Sequence, residues 1–335
     1  MHRRLPVALA VALMLTGCSN ADDSTTAVET LTLYSGRTLE LVEPLIEQFE
    51  ADTGIKVEVR DGDSTSIAGQ ILEEGDKTAA DVFLSQDAGA LGVLSDAGLL
   101  APLDDDVTAL VDPSYTSQDG SWVGLTGRAR VIAYDSETLS ADEVPTNVLE
   151  LVDEKWRGQV GIAPTNASFQ SFVTALRVSE GEDVAREWLE GLIANDAQIY
   201  DKNGPILEAV NGGALKLGLI NHYYWARYEG DPLTQRAQIA FGDPGSVSAL
   251  VNVSGVAIMK DSADSEAAKK FVEFLVSEKA QTYFLEETAE YPLALDGATP
   301  AGVPPLGDLG GPDIDLSDLA SLEQTVAMLT EVGLL

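Results

Sequence analysis

The sequence predicts an α/β protein of two lobes joined by hinge-crossing strands, with a ligand cleft between the lobes. Three observations carry that expectation. A β-α-β-α-β rhythm runs from Leu31 to Leu100, the same rhythm restarts after residue 134, and two apolar segments, 128–134 and 250–258, are placed to cross from one lobe to the other. Such a rhythm indicates a parallel sheet covered by helices, whose ligands bind beyond the carboxyl ends of the strands. Residues 35–38 and 85–87 therefore fall on the expected working edge.

Leu31-Thr32-Leu33-Tyr34 reads as the first strand and Ser35-Gly36-Arg37-Thr38 as the turn into a helix. Leu41, Leu45 and Phe49 share one face of that helix, Gly54 closes it, and Pro44 sits in its first turn or bends it. Ile55-Lys56-Val57-Glu58-Val59 alternates strictly, as a half-buried strand does. A helix around 67–74, the buried strand Asp81-Val82-Phe83-Leu84 and a helix around 90–97 complete the first rhythm. In the second, Gly161-Ile162-Ala163-Pro164 is a short strand, and the loop Thr165-Asn166-Ala167-Ser168-Phe169 opens a helix whose first N–H groups favour anions. Ala185, Trp188, Leu189 and Leu192 mark an amphipathic helix, Ile199-Tyr200 ends a strand, and 203–211 is a helix. Leu217-Gly218-Leu219-Ile220 is then the strand that delivers Asn221-His222-Tyr223-Tyr224-Trp225. After the second crossing segment, 265–277 is a helix with Ala268, Phe271, Phe274 and Leu275 inward, and the amphipathic segment 317–335 closes a lobe.

The N-terminus indicates where the chain works. Arg3 and Arg4 precede an apolar stretch from Leu5 to Leu15, a charged start and short apolar core typical of a secretory signal and too short for a membrane span. Leu15-Thr16-Gly17-Cys18 resembles the lipobox of bacterial lipoproteins, in which the thiol is acylated and becomes the new N-terminus. Residues 1–17 are thus expected to be a signal peptide, Cys18 the lipidation site, and 18–29 a lipid-anchored tether. One lobe is expected from 30–127 and 255–285, the other from 128–254 and 286–335. Cys18 is the single cysteine, so no disulfide forms within one chain.

Composition narrows the function classes. The formal charge is −35, from 20 basic against 55 acidic residues, a surface that repels nucleic acid and anionic lipid headgroups. No nucleic acid partner is expected, and the membrane is reached only through the lipid anchor. A cationic ligand is compatible with this charge, but so is a plain solvated acidic surface.

Tyr223 and Tyr224 are the candidate chemical groups. Adjacent phenols at the end of an apolar strand are either ordinary amphipathic aromatics with buried rings and wet hydroxyls, or ligands for a hard cation. A phenol is a weak acid near pKa ~10, but a bound metal ion can strip its proton and leave an anionic oxygen ligand. His222, beside the pair, is either a further ligand or, if the strand continues through it, a side chain that points away from Tyr223.

Several further motifs resemble one family. Leu33-Tyr34-Ser35-Gly36-Arg37, Ala80-Asp81-Val82-Phe83-Leu84-Ser85, the run from Leu125 to Tyr134, Ile162-Ala163-Pro164-Thr165-Asn166, Lys202-Asn203, Ile220-Asn221-His222-Tyr223-Tyr224-Trp225 and Gly255-Val256-Ala257-Ile258 occur in colinear order. On these residues the chain resembles the ferric-ion-binding proteins of bacterial ABC importers, in the type 2 periplasmic-binding-protein group. The resemblance implies that group's two-lobed fold, Tyr223 and Tyr224 as ligands of transported Fe3+, an ABC importer permease as partner, a monomer, and no enzymatic activity.

It also implies a synergistic anion such as carbonate, phosphate or citrate, held by Thr165, Asn166, Ala167, Asn203 and Asn221, with Arg37, Arg128 and Arg130 as candidate counter-charges. Guanidinium groups suit that task because they fork onto two anion oxygens, while the alternative for Arg128 and Arg130 is a structural role in the hinge. Relatives supply further ligands at positions that here carry Thr38, Gln86 and Phe169, so the two tyrosines are the ligands that transfer. Asp87, next to Gln86, is either a substitute carboxylate ligand or an exposed helix-start residue. The alternative within the same fold is a binding protein for an oxyanion, a polyamine or an organophosphate. A secreted hydrolase is less well supported, because beyond the leader the chain has one histidine and no Gly-x-Ser-x-Gly elbow.

Overall fold

The computed structural model describes residues 29–335, so the expected signal peptide, the Cys18 lipidation site and the tether up to residue 28 lie outside the described residues. In chain order the first rhythm is β1 (Thr30–Ser35), α1 (Leu39–Thr53), β2 (Lys56–Asp61), α2 (Ser64–Glu74), β3 (Val82–Ser85) and α3 (Ala88–Asp96). A one-turn α4 (Asp105–Thr108) leads to the long strand β4 (Val123–Asp135). The second rhythm is β5 (Val160–Ile162), α5 (Ala167–Glu180), α6 (Glu182–Ala194), β6 (Gln198–Ile199), α7 (Asn203–Asn211), β7 (Leu217–Asn221), α8 (His222–Ala226) and β8 (Ala237–Phe241). Then come β9 (Val251–Ile258), α9 (Glu266–Leu275), α10 (Glu278–Tyr283), β10 (Tyr291–Pro292) and α11 (Leu322–Glu331).

The strands form a continuous curled sheet in the order β2-β1-β3-β9-β4-β7-β5-β6, with β8 and β10 both paired to β4. Two strands make the crossing. β4 is buried along its whole length and changes partner midway, pairing with β9 up to Ala129, with β7 from Arg130 and with β8 from Val131. β9 pairs with β4 along Val251–Val256 and with β3 along Gly255–Ile258. The first half is parallel at β1-β2 and β1-β3, the second at β5-β6 and β5-β7, as the two rhythms require.

Local sequence explains the elements that flank the cleft. α1 buries Val42, Leu45, Ile46 and Phe49 and ends at Gly54, whose φ of 74° is the left-handed conformation that glycine adopts without penalty. Phe49 meets Phe271 of α9 edge to face, with centroids 5.0 Å apart, and each fully buried ring contributes about 2 kcal/mol through lost apolar surface. α7 lies directly on β7 because Gly218 has no side chain. A Cβ there would stand 2.3 Å from Ile206 Cγ2.

One local expectation is corrected. His222, Tyr223 and Tyr224 are not in a strand: β7 stops at Asn221 and the next five residues turn as α8. Leu217, Gly218, Leu219 and Ile220 are all buried, so the run has no alternation to carry forward, and a single helical turn has no periodicity of its own. Trp225 pins the turn by donating from its indole to the Ala237 carbonyl at 2.8 Å. The C-terminal segment touches both halves, since residues 316–320 pack on α3 while α11 packs on α5.

Candidate functional site

A cavity of about 520 Å³ opens where the carboxyl ends of β1, β3, β5 and β7 converge. Thr38, Glu40, Gln86 and Asp87 line it from the first half, Arg128, Arg130 and Asn252 from the crossing strands, and Asn166, Ala167, Ser168, Asn221, Tyr223 and Tyr224 from the second half. The working edge expected from the strand order is thus the edge where the cavity lies.

Tyr223 and Tyr224 stand side by side on its wall. Their rings stack with centroids 4.5 Å apart and 29° between planes. Tyr223 is 8% exposed, and burial pushes its phenol well above the ordinary range, with Tyr224 adding to the effect and Arg128 opposing it. Arg130 shares the wall with the pair and donates to Asn221 Oδ1 at 3.1 Å, to the Leu219 carbonyl at 3.1 Å and to Ser168 Oγ at 3.3 Å. Burial pulls its guanidinium down to about 9, an effect the two phenols oppose, so it keeps its charge at neutral pH. Arg128 donates from Nη2 to the Gln86 carbonyl, which ties a crossing strand to the opposite wall. Among the described residues no group of three or more His, Cys, Asp or Glu side chains is arranged to hold a metal ion. The oxygen donors of the cavity are therefore phenols, amides, hydroxyls and the lone carboxylates of Glu40 and Asp87.

The anion candidates separate. Asn166 caps α5, accepting from Ser168 N–H at 3.1 Å and from Ser168 Oγ at 2.5 Å, and Ala167 and Asn221 also reach the cavity. Asn203 does not. It is 1% exposed and sits behind Ser168, donating to that hydroxyl at 3.0 Å. Thr165 lies outside the wall, its hydroxyl 3.5 Å from the Asp201 carbonyl. Arg37 is also removed from the list of counter-charges facing the cavity, because its guanidinium is buried and forked onto Glu290 at 3.1–3.3 Å.

Three further residues are placed by the structure. Asp87 is a helix-start residue but not an exposed one: it is 4% exposed and caps α3 by accepting from Ala90 N–H at 3.1 Å. Burial raises its carboxyl above the usual range, although the Ala90 hydrogen bond and Arg128 oppose the shift. Phe169 lies in α5 and packs on Trp188 at 6.2 Å, leaving Phe172 as the aromatic that α5 presents to the cavity wall. His222 is wholly buried and does not reach the cavity; burial pushes it down to about 4.

Sequence reasoning missed Glu40, Ser168, Lys202, Arg227 and Asn252 on the cavity wall. Arg227 was legible once α8 is a helix, because it follows Tyr223 by four residues and Tyr224 by three and so shares their face. Among the described residues Gln86 Oε1 is a buried oxygen with no hydrogen-bond partner, and Gln86 lines the wall contributed by the first half, across from the tyrosines.

A family model of bacterial extracellular solute-binding proteins matches residues 77–306. Over 320 residues the chain is 34% identical to the major ferric iron-binding protein of Neisseria meningitidis, covering 93% of this chain and 95% of that protein. Iron-bound HitA from Pseudomonas aeruginosa superposes with a TM-score of 0.83 at 33% identity, covering 91% of this chain and 99% of that one. The Trichodesmium protein IdiA (FutA), solved with iron and citrate ligands, superposes with a TM-score of 0.75 at 28% identity, covering 91% and 99%.

Proposed function

The chain belongs to the bacterial extracellular solute-binding proteins, alongside their ferric iron-binding members, and on that premise we propose that it captures ferric iron through Tyr223 and Tyr224 together with a synergistic anion and delivers it to an ABC importer. The observation that carries the reading is the stacked phenol pair on a cleft wall to which the described residues bring no histidine or cysteine. Fe3+ is a hard acid that prefers anionic oxygen to thiol or imidazole. Two phenolates leave part of its coordination and charge to other donors, and carbonate, phosphate or citrate would supply them. Asn166, Ala167, Ser168 and Asn221, with the cations Arg128 and Arg130, support an anion at that place. The unpartnered Gln86 oxygen supports a neutral ligand from the facing wall.

Binding needs no covalent chemistry. The metal displaces the phenol protons, closure of the two halves excludes water, and the lower local dielectric strengthens the remaining attraction. We assign 30–127 with 255–285 to one lobe and 128–254 with 286–335 to the other, a division supported by the partner change of β4 at Ala129 and Arg130. The proposed setting is extracytoplasmic, with a monomer anchored through acylated Cys18.

One observation favours a second reading. The cavity gathers Arg128, Arg130, Lys202 and Arg227 against Glu40 and Asp87, which suits an oxyanion bound without metal. A single titration separates the two. Ferric citrate or ferric carbonate added to the apo protein should develop a visible phenolate-to-iron charge-transfer band, lost in the double variant Tyr223→Phe, Tyr224→Phe. A colourless protein that binds the anion equally with and without iron supports the oxyanion reading instead.

A further inference from the structure

His222 adjoins Tyr223 but takes part in a different structure, the ladder between β4 and β10. These strands run antiparallel with Tyr291 opposite Gly127 and Pro292 opposite Thr126. Leu293 N–H donates to the Leu125 carbonyl at 3.1 Å, so the hydrogen-bonded pairs fall at every second residue, and the next beyond Tyr291 would join Ala289 to Ala129. That direct bond is replaced by an imidazole. Ala129 N–H donates to His222 Nδ1 at 3.1 Å, and His222 Nε2 lies 3.0 Å from the Ala289 carbonyl oxygen. A backbone N–H only donates and a carbonyl only accepts, so the ring is neutral with its hydrogen on Nε2.

The corner that receives this bond is strained and tied down. Ala289 has φ 51°, one of two non-glycine residues with positive φ among the described residues, a conformation that side chains disfavour. The next residue, Glu290, is held by Arg37 and by Thr126 Oγ1, the latter at 2.5 Å. Arg37 in turn precedes Thr38 on the cavity wall facing the tyrosines. The imidazole is enclosed by the Tyr291 ring at 4.7 Å and meets the Tyr223 ring edge-on at 6.1 Å.

We propose that His222 is a positioning residue for iron capture, wedged between β4 and the 289–290 corner so that Tyr223 stands at the cavity wall before the metal arrives. This rests on the reading of Tyr223 as an iron ligand. A five-membered ring is suited to the task because it carries an acceptor and a donor on different edges of one rigid plane, 3.1 and 3.0 Å from their partners. Glutamine carries both at one flexible end, and phenylalanine fills the space with neither.

The test uses the full chain loaded with ferric citrate. His222→Phe should fold in the apo form, shift the charge-transfer band, and lose iron to EDTA roughly tenfold faster, the scale on which groups that orient metal ligands act. A folded variant with the original band and the original rate of iron loss overturns the proposal, whatever its melting temperature. If the variant does not fold, the unaltered chain provides the measurement: His222 is its sole histidine besides His2, so its ring nitrogens are assignable by 15N NMR. The Nε2–H tautomer is expected, with ring signals that shift on loading with diamagnetic Ga3+. The opposite tautomer, or signals unmoved by Ga3+, overturns the proposal. The tyrosine double variant keeps the two claims apart, because iron retained there removes the iron reading itself, whereas iron lost there with an unaffected His222→Phe removes only the role of His222.

Discussion

The Arg37 guanidinium is forked onto the Glu290 carboxylate, with Nη2 3.1 Å from Oε2 and both side chains 1% exposed. Thr126 Oγ1, which also bonds Ser254 Oγ at 2.6 Å, closes the carboxylate from the side, so one buried group joins the turn after β1 to both crossing strands. Breaking a buried pair strands the remaining charge. Glu290→Gln should therefore lower stability by about 3–5 kcal/mol, read from urea unfolding, whereas Arg37→Met combined with Glu290→Met should cost less than the single change. Burial alone would raise the Glu290 carboxyl, but Arg37, Arg128 and Thr126 outweigh it and hold it low. Its stabilising contribution is then fully present above the unfolded carboxyl pKa and is lost as pH falls through the depressed folded value. The variant should show a flatter acid unfolding profile.

Asp87 has the opposite sign. Its folded carboxyl is raised, so the folded state holds the proton more tightly than the unfolded state, and stability declines as pH rises through the folded value. Asp87→Asn keeps the cap on Ala90 N–H and removes the buried charge. A higher melting temperature at neutral pH is expected, with the gap narrowing on acidification. A lower melting temperature at neutral pH would show that Arg128 depends on the charge.

Gln86 offers iron a neutral oxygen at best. Gln86→Glu supplies an anionic one and should tighten ferric binding, while Gln86→Leu should weaken it about tenfold, or ~1.4 kcal/mol. Competition against citrate measures both. Equal affinities in the three proteins would remove Gln86 from the coordination shell.

Proton release gives a further check. A phenol is protonated at neutral pH and burial raises Tyr223 further, so binding must expel its proton and affinity must fall with acidification. With two phenolates formed, apparent affinity should change by up to about a hundredfold per pH unit, and by about tenfold in Tyr224→Phe. A pH-independent affinity would mean that the phenols stay protonated.

The parts of the fold that were legible in the sequence are those with long periodic faces. α1 shows its Leu45 and Phe49 stripe, β2 alternates, and the run through Arg128 and Arg130 is apolar enough to read as a crossing strand. α8 was not legible, being five residues long after a strand buried on both faces. The phenol pair stands out as residue types, but its setting depends on partners far along the chain. Arg37 looks like a free counter-charge until Glu290, 253 residues away, is folded against it. His222 looks like a ligand candidate until Ala129 and Ala289 occupy both its nitrogens.

The central claim is that Tyr223 and Tyr224 jointly hold ferric iron. Diffraction from iron-loaded crystals, with data collected at the iron absorption edge, tests it most directly. The account requires one anomalous peak within coordination distance of both phenol oxygens, with electron density for an anion between the peak and the Asn166–Ser168 turn. A peak elsewhere in the molecule, or one that survives unchanged in the double variant Tyr223→Phe, Tyr224→Phe, would contradict it.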